Sequence, residues 1–536
     1  MTDSIDIGKL LRASAFPHPT DAIRCRETHV SWVILTGSFA YKIKKSVRLE
    51  FLDMTRLATR HALCNEELRL NRRLAPELYV DVVPITQDAQ GLYVGGRGTV
   101  VEYAVKMRQF DASQELPALL ERGDVTTGEI AALGVDLAEF HRRAPPADGR
   151  AARAGAGPTQ ADAGLARAAA TPPPYPDFDY RRELRQSVLG TLATLVAHYR
   201  PREGFEELSH LIDWTHDALH DLARDFAARL ERGFVRECHG DLHARNIVRW
   251  EGRLTPFDCL EFDPRLRWID VMNDVAFLYM DLMAHRRKDL AYQFLSSYLE
   301  VMGDYSGVRL LPFYAAYRAL VRAMVDALSA EQRPTDRESL DERLEGRIHT
   351  ATDLTRPARP TLNIMHGASG SGKSWVSERL VPLLGAIRIR SDLERKREST
   401  SAGDGSDASS RYTRKRRERT YRYLRECARA PLAVGVSVIV DATFLDFRDR
   451  QAFREVAAAV GADFRIISCN ADEALMTRRI RDRAGHDPSE ADITVLAAQL
   501  REMQPLRAEE EGDVVRLETG APDIEERIRK AICPSC

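Results

Sequence analysis

The chain lacks the features that would place it in a membrane, outside the cell or along a nucleic acid. Its 536 residues contain no apolar run of about eighteen residues, so no membrane span is predicted. The eight cysteines are scattered without a framework spacing, which is typical of reduced thiols in a cytoplasm. Lys and Arg number 78 against 80 Asp and Glu, so no global basic field favours nucleic acid. Residues 1–6 are acidic and lack the layout of a signal peptide, and we expect a cytoplasmic protein.

Length and composition favour a globular protein with several domains. Hydrophobic residues make up 44% of the chain and charged residues 29%, which is ordinary for a globular protein. A chain of 536 residues is too long for one core. A CxxC pattern runs from Cys533 to Cys536 at the extreme C-terminus. We interpret it as a frayed tail, with a redox or metal site as the alternative.

Sequence patterns divide the chain into two folded units. Residues 1–110 alternate as strands do and residues 111–330 have helical periodicity, which together predict an α+β unit. In the first part, two strands at 28–35 and 39–45 are predicted to form a hairpin. Within it, the Ala-, Pro- and Gly-rich stretch 144–176 predicts a mobile insert. Residues 331–360 are charged and end in two prolines that would stop a helix, and we interpret them as a linker. Apolar runs alternate with helical stretches over 361–536, which predicts an α/β domain with a parallel sheet.

A complete phosphate-binding loop of the Walker A type opens the second unit. The apolar segment 361–366 precedes it as a predicted strand, and a helical pattern follows from Trp375. In this context backbone N–H groups and the helix dipole hold phosphates. Lys373 would reach the β- and γ-phosphates, and the Ser374 hydroxyl would hold Mg²⁺. The predicted nucleotide-binding residues of the loop are Gly367, Ser369, Gly370, Ser371, Gly372, Lys373 and Ser374.

Four more residues of this unit favour chemistry at the phosphates. Asp392 follows the next predicted strand and would emerge at the carboxyl edge of the sheet, where substrates bind. Asp441 ends a strand of the Walker B type and would hold Mg²⁺ directly or through water. Arg479 and Arg483 lie four residues apart on a predicted helix and would neutralise charge on the γ-phosphate. A solvated basic helix face is the alternative for these two arginines.

Over residues 361–530 these motifs resemble the small P-loop kinases related to zeta toxins, polynucleotide 5′-kinases and gluconate or shikimate kinases. The resemblance implies that Asp392 activates the acceptor hydroxyl and that the two arginines belong to a lid. We find no AAA+ sensor or oligomerisation signature, so a kinase is favoured over a motor ATPase. The basic segment 411–425 contains interleaved tyrosines. It is either a solvated helix or a surface for a phosphate-rich acceptor such as a nucleic-acid end.

A second phosphotransfer motif lies upstream, in the helical part of the first unit. Asp241 and Asn246 lie five residues apart on a predicted turn, and Asp258 follows a short strand twelve residues later. Asp241 would orient an attacking hydroxyl and accept its proton, while Asn246 and Asp258 would converge on Mg²⁺. His239 would brace the turn through backbone hydrogen bonds. Ordinary loop residues are the alternative, because His, Asp and Asn are common in loops.

A strand and a helix near the N-terminus supply nucleotide-binding residues for the same motif. Ala40 and Lys42 fall on one strand face, as an adenine-facing small residue and a phosphate-binding lysine would. Lys44 shares that face and is the alternative to Lys42. On the following helix, Glu67 or its neighbour Glu66 would pair with the lysine. Each of these residues has a solvated side chain as its alternative interpretation.

Over residues 20–325, the motifs HGDLHARN, PFDCLEFD and AYK resemble the aminoglycoside phosphotransferase and choline-kinase-like branch of the protein-kinase fold. Within that branch the chain is similar to bacterial proteins of the aminoglycoside phosphotransferase family that are fused to a P-loop domain. The resemblance implies a bilobal fold with ATP in the cleft, Asp241 as the base and Asn246 and Asp258 as metal ligands.

The first unit departs from that pattern because it has no glycine-rich nucleotide loop at residues 24–31. Phosphate clamping there would depend on Thr28, His29 or Ser31. The sequence as a whole predicts two kinase units that use ATP or GTP with Mg²⁺ and phosphorylate a hydroxyl of a small molecule or nucleotide. Two alternatives stay open. One is a nucleic-acid 5′-end kinase whose first unit aids substrate binding, and the other is a P-loop kinase regulated by an N-terminal pseudokinase.

Overall fold

The computed structural model describes most of both predicted units. The described residues are 5–49, 52–147, 178–199, 205–332, 336–401, 414–483 and 492–532. Three features predicted from the sequence fall wholly or partly outside them: most of the insert (148–176), the start of the basic segment (411–413) and the C-terminal CxxC (533–536).

The N-terminal lobe is a six-stranded antiparallel sheet covered by one helix. The spatial strand order is β1-β2-β3-β8-β6-β7, and β2 and β3 form the predicted hairpin. The elements of this lobe are β1 (Arg24–Glu27), β2 (Ser31–Leu35), β3 (Phe39–Lys44), β4 (Arg48–Leu49), β5 (Leu52–Asp53), α1 (Leu57–Asn71), β6 (Tyr79–Asp88), β7 (Gly91–Val94) and β8 (Thr99–Arg108).

The strand predicted to begin at Thr28 is wrong at its start. Thr28 N–H donates to the Ser31 carbonyl at 2.8 Å, and Ser31 N–H donates to the Thr28 hydroxyl at 3.0 Å. These bonds close a tight turn between β1 and β2, because a threonine hydroxyl can satisfy backbone groups in place of a ladder. The residues expected to clamp phosphates therefore form a short turn, and His29 is exposed at its tip.

The second lobe is mainly helical. Its strands form two short antiparallel pairs, β10 with β11 and β9 with β12, and β12 leads directly into a helix, α7, that is buried along nearly its whole length. The elements of this lobe are α2 (Leu116–Glu121), α3 (Thr127–Arg143), α4 (Tyr180–Tyr199), α5 (Phe205–Asp221), α6 (Ala223–Glu231), β9 (Val235–Glu237), β10 (Ile247–Trp250), β11 (Arg253–Pro256), β12 (Trp268–Asp270), α7 (Val271–Ala284), α8 (Lys288–Met302), α9 (Leu311–Gln332) and α10 (Arg337–Thr355).

The segment interpreted as a linker, 331–360, contains the helix α10. Its buried residues Leu340, Leu344, Ile348 and Ala351 recur every three or four positions, so they line one face, and α10 packs against α9. The helix ends at Thr355, two residues before Pro357. The prolines thus stop a helix as predicted, and the residues before them extend the helical layer of the first unit.

The C-terminal unit is a parallel sheet covered by helices, as predicted. Its strand order is β14-β15-β13-β16-β17, which puts the strand before the phosphate loop in the centre. The elements are β13 (Thr361–His366), α11 (Lys373–Leu384), β14 (Ala386–Arg390), α12 (Ser391–Ser401), α13 (Arg414–Ala433), β15 (Ser437–Asp441), α14 (Phe447–Ala459), β16 (Asp463–Asn470), α15 (Glu473–Arg483), α16 (Ile493–Glu502), β17 (Val514–Glu518) and α17 (Ile524–Ile532).

Helix α8 joins the two units. One side approaches α3 closely at Gly134, where an added Cβ would lie 2.6 Å from the Phe294 carbonyl. The other side covers the edge strand β14: the Ser296 hydroxyl accepts the Arg388 N–H at 3.0 Å. The Arg388 guanidinium donates to both carboxylate oxygens of Glu300, at 2.7 and 3.1 Å. A bidentate ion pair, largely buried, therefore fixes the P-loop sheet to the first unit.

No helix among the described residues is long and apolar enough to cross a membrane.

Glu300→Ala should destabilise the full chain. It would leave the Arg388 guanidinium buried without its carboxylate, and breaking such a pair costs about 3–5 kcal/mol. The measurement is the unfolding free energy from urea titration. Glu525→Ala is the control, because Glu525 pairs with Arg379 on the exposed surface and such pairs contribute about 0–1 kcal/mol. Equal losses in the two variants would contradict the proposed importance of the interface.

Candidate functional site

The turn that carries Asp241 is fixed by hydrogen bonds to a buried carboxylate. Asp274 of α7 accepts the N–H of His239 at 3.0 Å and the N–H of Gly240 at 2.9 Å. Gly240 has a φ of +86°, and an added Cβ would lie 2.9 Å from the Leu266 carbonyl, so only glycine fits there. Asp274 fixes the backbone of the turn, and the sequence analysis did not single it out.

His239 braces the turn, as predicted. Its Nδ1 accepts the N–H of Asp241 at 3.3 Å, and its Nε2 lies 2.9 Å from the Phe257 carbonyl. Burial lowers the pKa of His239 below its ordinary value. The ring is therefore neutral, with the proton on Nε2, and it links the Asp241 turn to the strand end that leads to Asp258.

The three predicted polar residues of this motif meet at one end of the β10–β11 hairpin. The amide Nδ2 of Asn246 donates to the Asp241 carboxylate at 3.0 Å and to the Asp241 carbonyl at 3.0 Å. The backbone N–H of Phe257 donates to the Asn246 carbonyl at 2.9 Å, which brings Asp258 alongside. Asp258 has a φ of +62°, an uncommon conformation for a residue other than glycine that often marks functional sites.

Both strand lysines enter a buried charge network, in which each contacts Glu67. Lys42 Nζ lies 2.5 Å from Asp258 Oδ1 and 2.9 Å from Glu67 Oε1. Lys44 Nζ lies 2.7 Å from Glu67 Oε2 and contacts Glu261. Burial alone would lower the pKa of Lys42, but the carboxylates of Asp258 and Glu67 raise it well above its ordinary value. Lys42 is the lysine that reaches Asp258.

The neighbouring acidic residues have other partners. Glu66 accepts from Arg69 at 2.8 Å and from Arg267 at 2.6 Å, so it does not pair with the strand lysines. Asp263 accepts from Arg265 at 2.8 Å. Glu261 contacts Lys44, so both acidic side chains between Asp258 and β12 have basic partners.

Asn246 and Asp258 have the donor chemistry that Mg²⁺ prefers. The amide nitrogen of Asn246 is committed to Asp241, and its Oδ1 accepts no hydrogen bond among the described residues. Asp258 supplies a carboxylate that is 39% exposed. Oxygen donors of these two kinds fit a hard divalent cation. His141, Cys238 and Asp274 also lie close together.

The hydrogen bonds of this second group indicate that it is structural and supports the Asp241 turn. His141 Nε2 lies 3.1 Å from Asp274 Oδ2, and its Nδ1 lies 2.9 Å from the Tyr298 hydroxyl. Both ring nitrogens are therefore engaged, and Asp274 also holds two backbone N–H groups. Because Asp274 supports the Asp241 turn in this way, His141, Cys238 and Asp274 are buried together.

In the second unit, glycines allow close contact between the phosphate loop and its surroundings. Gly370 has a φ of +82°, and an added Cβ there would lie 2.6 Å from the Met476 carbonyl of α15. Ser369 N–H donates to Gln499 of α16 at 2.7 Å, and Lys373 Nζ donates to the Ala368 carbonyl at 2.8 Å. Helices α15 and α16 thus border the loop directly.

The two predicted acidic residues of this unit lie at the loop's edge of the sheet. Arg390 pairs with Asp441 in the β14–β15 register, so Asp392 begins α12 beside the end of β15. Asp441 is buried and accepts from the Ser377 hydroxyl at 3.1 Å. Asp392 Oδ2 lies 3.2 Å from Arg390 Nη2 and its side chain is 18% exposed. Ser374 opens α11 at the same edge.

Arg479 lies against the phosphate loop. Its guanidinium donates to the Gly370 carbonyl at 3.3 Å and to the Thr519 carbonyl at 2.8 Å. Arg483 is the last residue of α15, and its side chain is outside the described part of the chain. Thr519, whose hydroxyl donates to the Ser371 carbonyl at 2.7 Å, was missed because an isolated threonine carries no sequence signal.

The described part of the basic segment forms the start of α13. Tyr421 is 5% exposed and packs edge-on against Phe444, with 5.1 Å between the ring centroids. Its hydroxyl accepts the Phe444 N–H. Arg417 pairs with Asp449 at 2.8 Å. Tyr421 belongs to the core of this unit and is not available for stacking on a base.

Comparison with known proteins identifies a family domain within the second unit. Residues 362–506 match the protein family described as "AAA domain". "Uncharacterized protein Rv2004c" of Mycobacterium tuberculosis (strain ATCC 25618 / H37Rv) is 31% identical over 481 residues, which cover 89% of each chain. The chain belongs to the family of this mycobacterial protein. The match includes both units, and the expected P-loop domain at the C-terminus is confirmed.

Two solved structures resemble parts of the chain. A gluconokinase from Sinorhizobium meliloti 1021 is 23% identical, with a TM-score of 0.24, and the match covers 33% of this chain and 91% of that one. A choline/ethanolamine kinase family protein from Mesorhizobium loti is 13% identical, with a TM-score of 0.33 and coverage of 66% and 94%. The P-loop family match supports a phosphotransferase in general terms. Membership of the first unit in the aminoglycoside phosphotransferase family stays a prediction.

The stability of the chain should fall with acid because of His366, which ends β13 just before the phosphate loop. Burial, together with Arg450 and Lys373, lowers the pKa of His366 to about 4. The folded state thus resists protonation, so this stability is complete above about pH 6.5 and is lost as the pH falls towards 4. The unfolding free energy should drop by about 1.4 kcal/mol per pH unit.

Urea titrations between pH 7 and 4 measure this slope. His366→Gln should flatten it relative to the natural chain, whereas His216→Gln, a change at an exposed histidine, should leave it unchanged. A His366→Gln profile parallel to that of the natural chain would refute the assignment.

Proposed function

We propose that the chain is a phosphotransferase with two kinase sites, each of which transfers the γ-phosphoryl group of ATP or GTP to a hydroxyl. The observation that supports this best is the shared sheet edge of the second unit. There the phosphate loop, Asp392 and Asp441 lie together, as an acceptor, a nucleotide and a metal would require. In the first unit, the Lys42–Glu67 pair and the Asp241 turn carry the corresponding groups.

In the second site, Asp392 accepts the proton of the acceptor hydroxyl while the hydroxyl oxygen attacks the γ-phosphorus. The bond from that phosphorus to the bridging oxygen breaks, and the nucleoside diphosphate leaves. Lys373 of the loop and Arg479, which contacts the loop, offset the charge on the transferred group. Ser374 and Asp441 would hold Mg²⁺, which supplies further charge compensation when bound.

In the first site, Asp241 has the same role as Asp392. Asn246 donates to the Asp241 carboxylate and so orients the other oxygen towards an acceptor. Asn246 Oδ1 and Asp258 would hold Mg²⁺ there, and Lys42 would move from Asp258 towards the α- and β-phosphates, with Glu67 keeping it in place.

One observation favours the pseudokinase as a second candidate for the first unit. The place of the nucleotide loop is taken by the tight turn Thr28–Ser31, whose hydroxyl and backbone groups are bonded to each other. The nucleic-acid 5′-end kinase has less support, because Tyr421 of the basic helix packs in the core. A small-molecule or nucleotide acceptor is therefore our proposal for both sites.

Asp392→Asn should lower transfer by the second site about a hundredfold or more, the usual scale for losing a general base, with little change in nucleotide affinity. The measurement is phosphoryl transfer from labelled ATP beside nucleotide binding by fluorescence titration, both in the full chain. Asp449→Asn is the control, because the Asp449 carboxylate pairs with Arg417 and not with a residue of the phosphate loop. A loss of ATP affinity without a loss of transfer per bound ATP would identify Asp392 as a metal or structural residue.

The two sites should be separable by mutation. Lys373→Ala should abolish transfer by the second site, and Asp241→Ala should lower transfer by the first about a hundredfold or more. Total ATP turnover in the two single variants and the double variant tests this. If the sites are independent, the losses add, whereas complete loss in each single variant would indicate one composite site. Turnover unaffected by Asp241→Ala in the Lys373→Ala chain would favour the pseudokinase.

A further inference from the structure

Asp241 lies between two differently charged sets of side chains. On one side are Lys42, Glu67 and Asp258, which the proposed function assigns to the nucleotide. On the other side are α7, α9 and α10, which carry Asp281, Arg322 and Arg347. Asp281 accepts the N–H of Ala244, three residues after Asp241, at 2.9 Å. This second set is therefore tied to the Asp241 turn by a direct hydrogen bond.

The carboxylates of this second set already have arginine partners. Arg347 Nη1 donates to Asp281 at 2.8 Å. Asp326, one helical turn beyond Arg322, has Arg343 at 3.5 Å. Arg322 itself makes no hydrogen bond or ion pair among the described residues, and its Nε is buried without a partner. A buried guanidinium N–H without an acceptor is costly, and an anion bound there would supply the acceptor.

Two further basic side chains, His243 and Arg245, lie on the Asp241 turn. His243 Nε2 lies 3.4 Å from Asp241 Oδ2, and its Nδ1 is buried without a hydrogen-bond partner. Arg245 is exposed on the same turn and acts electrostatically on Arg322 and on Glu115. Burial lowers the pKa of Arg322, with Asp281 and Asp241 opposing it, which agrees with a cation that lacks a full counter-charge. Among the described side chains, neither Arg322 nor Arg245 is therefore bonded to a carboxylate.

We propose that the first site phosphorylates a hydroxyl of an anionic acceptor, whose phosphate or carboxylate group is bound by Arg322 with Arg245 beside it. This inference rests on the proposed function of the first unit. The acceptor oxygen forms a bond to the γ-phosphorus, its proton passes to Asp241, and the nucleoside diphosphate leaves with the bridging oxygen. A cationic acceptor is disfavoured, because Glu261 and Asp263, the acidic residues after Asp258, are bound to Lys44 and Arg265.

Anion binding is tested first, with inorganic phosphate as the probe. The full chain carries Lys373→Ala, so that binding at the second site is weakened equally in every variant. Phosphate should raise the melting temperature less in Arg322→Gln than in the parent, and Arg322→Lys should retain part of the effect. Arg309→Gln, which removes an exposed arginine paired with Asp225, should match the parent. Equal shifts in Arg322→Gln and Arg309→Gln would overturn the proposal.

Acceptor choice is tested next in the same Lys373→Ala chain, with four matched three-carbon alcohols. Glycerol 3-phosphate and glycerate are anionic, glycerol is neutral, and 3-amino-1,2-propanediol is cationic. We expect labelled phosphate to pass to the anions, and their relative rates separate phosphate from carboxylate. Arg322→Gln should raise KM for the preferred anion about 10- to 100-fold with a smaller change in kcat, the scale of a charged hydrogen bond. Preference for the neutral or cationic alcohol would overturn the proposal.

Failure of the anionic site and failure of the kinase are distinguishable. If phosphate binding depends on Arg322 but no ATP turnover depends on Asp241, the anion site stands and the kinase function of the first unit fails. If turnover depends on Asp241 but phosphate binding does not depend on Arg322, the kinase stands and the anionic acceptor is refuted. If none of the four alcohols accepts phosphate, the binding measurement alone decides the anion site.

Discussion

The arrangement of the two units depends on one helix, α8, that is buried on two sides. Gly134 lets α3 approach the α8 backbone on one side, and the edge strand β14 lies along the other. An edge strand exposes unpaired backbone groups that invite association with other chains. The Ser296 hydroxyl satisfies one of these groups, and the Arg388–Glu300 ion pair beside it requires α8 at a fixed distance and orientation. The P-loop sheet is therefore completed by a helix from the other unit.

Buried carboxylates organise the first site in the same way, since each holds groups that would be costly if left alone. Asp274 binds two backbone N–H groups of the Asp241 turn, and Glu67 binds the two lysines of β3. Removing either carboxylate would leave several buried donors unsatisfied at once. Because Asp258 pairs with Lys42, a nucleotide and metal bound there would replace this ion pair, with the phosphates as new partners of Lys42 and the metal as the new partner of Asp258.

Local patterns in the sequence predicted the parallel sheet, the β2–β3 hairpin and the phosphate loop, because each is set by near neighbours in the chain. The residues that the sequence did not reveal act over long separations. Asp274 lies 34 residues from Gly240, and Glu300 lies 88 residues from Arg388. A buried carboxylate and an exposed one look alike in a sequence. For the same reason the amphipathic helix α10 was interpreted as a linker, since its apolar spacing has meaning only beside α9.

The two candidate sites share no residue, but both depend on how α8 is packed. Two residues of α8 show this. Tyr298 and Glu300 are two positions apart, which places them on opposite faces of the helix. The Tyr298 hydroxyl bonds His141, which bonds Asp274 under the Asp241 turn. Glu300 bonds Arg388, whose guanidinium also donates to the Ser374 carbonyl at the start of the P-loop helix. A movement of α8 along its axis would lengthen both sets of hydrogen bonds together, and these weaken steeply with poor geometry. Helix α8 thus constrains the positions of both the Asp241 turn and the phosphate loop.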